Sequence, residues 1–188
     1  DYSKQLNLRS IQIKDESRRF DLNAFKSLGA SYAMAKIIFS KVNNNQSDLD
    51  FNSVMQQSDA IKDVTFVTAT DGNHGRAVAW CAENYGCKAI VFLPKDTSRH
   101  QVDAIESHGA KAFVTDLNYD QTVEYAAKMS DEKDWVLIQD TSWAGYESIP
   151  RDIMTGYQTI IHELVDDHFI WPTHVVDRKS TRLNSSHV

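Results

Sequence analysis

Apolar residues recur along this chain with two different periods, and the alternation between them marks out its elements. Ile11-Gln12-Ile13-Lys14 alternates and predicts a short strand with Asp15-Glu16-Ser17 as its polar exit. From Phe25 to Val42 the apolar positions Leu28, Tyr32, Ala35, Ile38 and Phe39 follow helical spacing. Asn43 to Asp50 is polar and loop-like, and Phe51 to Asp59 predicts a short helix on Phe51 and Val54. The pattern then becomes regular. Val64 to Ala69 is a β-branched strand, Asp71 to Gly75 a turn, and a helix runs to about Tyr85, with Gly86 suited to the residue after a helix end. Lys88 to Leu93 is the next strand, stopped by Pro94. A helix over 97–108 follows, with Thr97 or Ser98 as its cap and Val102, Ala104 and Ile105 on its apolar face. Ala112 to Val114 predicts a strand, Tyr119 to Met129 a helix and Trp135 to Ile138 a strand. A helix from about Ile153 to Val165 leads to a last strand opening at Thr173 to Val176.

Strands separated by helices of this length imply parallel crossovers, so the expected fold class is α/β, a mostly parallel twisted sheet flanked by helices. Residues 1–63 form an N-terminal part, 64–176 the open α/β portion and 177–188 a tail without periodicity. Ligands of such sheets collect at the carboxyl ends of the strands, which directs attention to the turn at Asp71 to Gly75.

The 188 residues suffice for a full α/β core. A formal charge of -6, with 20 Lys+Arg against 26 Asp+Glu and no basic stripe, sets nucleic acid aside as a partner. Cys81 and Cys87, without neighbouring ligand-type residues, fit a reduced interior better than a disulfide or a zinc site. No apolar run approaches the roughly 20 residues that cross a bilayer, and no charged-then-apolar leader opens the chain, so a soluble cytoplasmic protein without membrane contact is expected. Asp1-Tyr2 suggests an incomplete or processed amino terminus, and Asp177 to Val188 resembles translated adapter sequence.

Two places could carry chemistry. Lys26 opens a helix beside Phe25; a lysine between apolar neighbours loses its charge more readily and can form an imine with a carbonyl cofactor, although composition alone favours a solvated helix-start lysine. Gly72 and Gly75 can expose backbone N–H groups at a helix start that accepts a carboxylate or phosphate, or can simply make an ordinary capped turn. Asn73 offers an amide suited to a phenolate oxygen on a ring. His74 has no ligand pattern around it and reads as packed or hydrogen-bonded. Thr70 and Asp71 frame the turn, and an aspartate there would attract an amine or take a proton. The stretch Asp140 to Tyr146 either closes over the pocket or is a surface loop, while Trp80 and Trp135 read as core. The glycines match neither the dinucleotide fingerprint nor a phosphate loop.

Lys14-Asp15-Glu16-Ser17, Asn23-Ala24-Phe25-Lys26, Ala69 to Arg76, Val114 to Asp120, Gln139 to Tyr146 and Ile149-Pro150 together resemble the diaminopropionate ammonia-lyases, fold-type II pyridoxal-phosphate enzymes of the tryptophan synthase β superfamily. The likeness spans about Ile11 to Val176. Serine and threonine dehydratases carry a serine-rich run before the lysine and a serine where Asp71 stands, so these departures favour the former. The resemblance implies pyridoxal 5'-phosphate as cofactor, Lys26 as its imine-forming lysine and Asn73 as the partner of its ring oxygen. It further implies a substrate-carboxylate site over Thr70, Asp71, Gly72, Asn73, His74 and Gly75, and α,β-elimination of 2,3-diaminopropionate, a small amino acid, to pyruvate and ammonia. Lys26 and Asp71 become bases on opposite faces, and a homodimer is expected for the full-length enzyme. Relatives carry a glycine-rich phosphate loop after the strand at His174 to Val176, so this incomplete chain is expected to be inactive, or nearly so. The alternatives are a dehydratase-like lyase or a noncatalytic α/β binding module.

Overall fold

Strand β1 (Thr65–Ala69) is buried along nearly its whole length, as a central parallel strand must be, because helices cover both faces of such a sheet. The computed structural model describes residues 2–42, 61–166 and 171–176. β1 pairs in parallel with β2 (Lys88–Leu93) on one side and β4 (Val136–Leu137) on the other, and β3 (Lys111–Val114) extends β2, giving the order β3-β2-β1-β4. The register aligns Phe66 with Ala89 and with Val136.

Side chains alternate across the sheet and build two cores. Phe66, Val91 and Leu93 point to one face, where they meet Met34 and Ile38 of α2 (Lys26–Val42), Val78 and Cys81 of α3 (Asn73–Tyr85), and Ile105 of α4 (Arg99–Glu106). Ile153 of α6 (Ser148–Tyr157) completes that layer. Val67, Ala69, Phe92 and Leu137 point to the other face, covered by Ala126 of α5 (Tyr119–Lys133).

Local chemistry bounds the helices: α3 ends at Gly86 as the sequence predicts, while the helix expected over 97–108 is Arg99–Glu106 and that expected to end at Met129 runs on to Lys133. Gly86 takes a left-handed φ of 71° at the end of α3. Ser98 caps α4 and Asn118 caps α5, each in a reciprocal box with a glutamine three residues on. Cys81 and Cys87 are free thiols, as expected, and burial pushes the Cys87 pKa up to about 11.

Four expectations need correction. Ile11 to Lys14 is not a strand: Ile13 is 83% exposed, and the segment pairs with no strand among the described residues. It is fastened instead by charge. Glu163 on α7 (Thr159–Asp166) accepts from Lys14 Nζ at 2.7 Å and from Arg19, which also donates to Glu16. Thr173 to Val176 is likewise exposed coil, with Val176 91% accessible. The helix expected over 153–165 is two helices, α6 and α7, broken at Gln158. The strand at 135–138 is shorter than expected, although Ile138 N–H continues the ladder to Val67 O at 2.8 Å. The loop and helix expected over 43–59 and the tail at 177–188 lie outside the described residues. A four-residue helix, α1 (Tyr2–Gln5), precedes all of this.

α2 crosses α6 at two glycines. A Cβ on Gly156 would stand 2.3 Å from Leu28 O, and one on Gly29 would stand 2.6 Å from Ile153 Cγ2. Backbone cannot retreat as a flexible side chain can, so Gly156→Ala should lower stability by about 1–3 kcal/mol in urea unfolding. The charge fastening gives a pH test. Hydrogen bonds first from Arg19 and then from Lys14 depress the Glu163 pKa from 4.5 to about 2, so its contribution is full above pH 4.5 and fades as pH falls toward 2. About a third of that side chain is exposed, 34%, and solvent screening keeps the effect at about 1 kcal/mol or less. The stability difference between the unsubstituted protein and Glu163→Gln should be present at pH 6 and vanish near pH 2.

Candidate functional site

The sheet order creates a crevice. The chain passes from β1 outward through β2 and β3, then returns to place β4 on the opposite side of β1. β1 thus has its sequence successor β2 on one side and β4 on the other, and the space beyond the strands' carboxyl ends is where open α/β sheets bind ligands. Thr70 and Asp71 follow β1 there, and Gln139 and Asp140 follow β4.

Lys26 arrives at the same place as the first residue of α2, reached through Asn23 in a left-handed conformation with φ 56°. Its side chain is 17% exposed, and its Nζ donates to Asp140 Oδ2, itself on a side chain only 8% exposed. Lys26 was expected among apolar neighbours; instead its nitrogen faces a carboxylate, because strand order brings β4 beside β1. Phe25 stands edge-on to Tyr157 of α6 at 5.0 Å, and that ring also lies against Gly29.

His74 is buried, and its Nε2 donates to Ile138 O at 2.8 Å, the packed and hydrogen-bonded place its sequence context suggested. Its Nδ1 stands 3.9 Å from Asp140 Oδ2. Thr70 is buried, and its Oγ1 accepts the Gly72 N–H at 2.9 Å, so that donor is engaged within the turn and not presented outward. Gly75 is needed for close packing: a Cβ there would meet Thr70 Cγ2 at 2.3 Å and Val91 Cγ1 at 2.8 Å. The first bond along α3 is Arg76 N–H to Gly72 O, so the N–H groups of Asn73, His74 and Gly75 have no acceptor within their own helix. Asn73 and Asp71 are exposed, and Gln101 donates to the Asp71 backbone carbonyl at 2.5 Å.

Sequence reasoning missed Asp140 as a partner of Lys26 and Gln139 as the tie between the strand ends. Gln139 is buried. Its Oε1 accepts from Ala69 N–H and Thr68 Oγ1, both at 3.1 Å, while its Nε2 donates to Tyr119 Oη at 3.1 Å. The loop after Asp140 is pinned by Tyr146, whose hydroxyl accepts from Gln139 N–H and donates to Leu137 O, both at 2.8 Å, with Trp143 stacked on its ring. The available signal was positional: a polar pair following a short apolar strand in an α/β chain. A separate groove of about 390 Å³, lined by residues such as Phe20, Leu28, Tyr32, Trp80 and Gly156, includes none of these site residues.

The family described as "Pyridoxal-phosphate dependent enzyme" matches residues 1–177. The diaminopropionate ammonia-lyase of Salmonella typhimurium is 49% identical over 180 residues, covering 93% of this chain and 45% of its own length. The apo crystal structure of the Escherichia coli diaminopropionate ammonia lyase superposes with a TM-score of 0.81 at 42% identity, over 92% of this chain and 48% of that one. The same enzyme in complex with an aminoacrylate-PLP azomethine reaction intermediate gives 0.78 at 40% identity, over 92% of this chain and 44% of that one. The chain thus spans under half the length of these relatives.

The Gln139 ties yield a stability test. Gln139→Leu strands the buried Ala69 N–H without an acceptor and should cost about 1–3 kcal/mol in urea unfolding. Unchanged stability would show that the side chain does not join the strand ends.

Proposed function

This chain belongs to the pyridoxal-phosphate dependent enzyme family, and from that premise we propose that it is part of a diaminopropionate ammonia-lyase acting on 2,3-diaminopropionate. The observation that carries this reading is the Lys26 amine held against the Asp140 carboxylate at the β1/β4 crevice, beside the start of α3. The donor set fits pyridoxal 5'-phosphate: a part-buried primary amine is the group that captures an aldehyde, and exposed Asn73 offers an amide to a ring oxygen. When bound, that cofactor supplies an electron sink that makes the substrate's α-hydrogen acidic.

The rest falls to the chain's own residues. Asp140 orients the Lys26 nitrogen toward the crevice. The first-turn N–H groups of α3 hold the substrate carboxylate, in a turn shaped by Thr70, Gly72 and Gly75 and packed by His74. Lys26 takes the α-proton from one face and Asp71 takes it from the other, which accommodates both stereoisomers. The β-amine leaves as ammonia, and the released three-carbon enamine takes up water to give pyruvate and a second ammonia. We take the full-length enzyme to be a cytoplasmic homodimer; among the described residues no helix is long and apolar enough to cross a membrane.

Steady-state pyruvate release by the full-length protein tests the assignment. Asp71→Asn should lower kcat/KM about 10²- to 10⁴-fold for one stereoisomer of diaminopropionate and much less for the other. Equal losses, or none, would remove Asp71 as the second base. Faster release from serine or threonine than from diaminopropionate would replace the lyase reading with a dehydratase.

A further inference from the structure

Three of the residues that lead into Lys26 hold left-handed backbone without being glycine: Phe20 at φ 50°, Asp21 at φ 57° and Asn23 at φ 56°. Aspartate and asparagine tolerate that region, but for a bulky aromatic such as Phe20 it is an outlier, kept only where the surroundings over-determine it. Strain of this kind collects where a side chain must be aimed, and the helix that opens next begins with Lys26.

Two contacts from α3 hold this lead-in. The Phe20 ring stacks on Trp80, with centroids 4.9 Å apart and planes 18° from parallel. Arg76, in the first turn of α3, donates from Nη1 to the carbonyl of buried Leu22 at 3.2 Å. Beyond Leu22 the Phe25 ring lies edge-on to Tyr157. Asn23 and Ala24 alone separate these two fixed points, and the left-handed Asn23 sets the direction in which α2 begins. The Nε of Arg76 is buried without a hydrogen-bond partner among the described residues, so the guanidinium gives up hydration there and contributes little to the stability of the fold. Its helix is the one whose first-turn N–H groups open on the crevice, so one side chain ties the seat proposed for the substrate carboxylate to the approach of the amine.

Resting on the lyase reading, we propose that Arg76 is a positioning residue: by gripping Leu22 O it keeps the left-handed lead-in closed and so delivers the Lys26 nitrogen to the crevice beside the first turn of α3. Without that bond the lead-in relaxes toward ordinary backbone, and the amine loses its fixed approach while α2 stays anchored further along at Gly29. The grip acts on where the amine stands and not on the sheet behind it.

Amide exchange in the cofactor-free, full-length protein, read by mass spectrometry, and pyridoxal phosphate titration together test this. Arg76→Met keeps a long stem and removes the donor. The peptide carrying the Asp21 and Leu22 N–H groups, which are bonded to Arg18 O and Arg19 O, should then exchange about 10- to 100-fold faster, with β1 and β2 unchanged. Of the pyridoxal phosphate that binds, a smaller fraction should be recovered as a borohydride-trapped adduct of Lys26, and Arg76→Lys, which keeps a charged donor, should restore part of it. Phe20→Ala, which removes the other hold on the same turn, should speed exchange in the same peptide. Unchanged exchange at Asp21 and Leu22, a general rise that includes β1 and β2, or an undiminished adduct fraction in Arg76→Met would overturn the proposal. Absence of any Lys26 adduct from the unsubstituted protein would instead overturn the lyase reading, and with it the role of Arg76.

Discussion

A lysine and an aspartate separated by 114 residues meet at the carboxyl ends of two neighbouring strands, and the candidate chemistry depends on that contact. Taking both charges largely out of water costs several kcal/mol per ion, recovered only when each faces the other in good geometry. The geometry comes from the fold. β4 must lie beside β1 to deliver Asp140, and α2 must begin at the crevice to deliver Lys26. Gln139 and Tyr146 lock the first requirement through bonds to Ala69, Leu137 and Tyr119. The crossing of α2 and α6 locks the second.

Much of the architecture was legible because local rules agree with it. The β-branched run before Ala69, Gly86 at a helix end and the cap at Ser98 each state a preference that the fold obeys. The segment Ile11 to Lys14 shows where such reading stops: alternation says that a stretch can pair, not that an edge is available to it. Those residues meet a helix carrying Glu163 and are held by charge.

The site was legible in its residue types more than in their employment. Lys26 and the turn from Thr70 to Gly75 were identified, and both lie at the crevice. The pairing of Lys26 with Asp140 was not, since periodicity contains no information about strand order and the partners share no local pattern. Gly75 was read as an aid to exposing N–H groups, whereas its tightest constraint is contact with Thr70 and Val91. Gly72 likewise spends its N–H on Thr70. A sequence pattern can nominate a turn, while the allocation of each donor within it is decided by three-dimensional packing.

The glycine crossing has a mechanical consequence. At Gly29 and Gly156 the two helices touch almost without intervening side chains, so neither can roll or slide without carrying the other. The Lys26 nitrogen stands at the first residue of α2 and the Tyr157 ring at the last residue of α6. A tilt of α6 therefore carries with it the start of α2, where Lys26 stands.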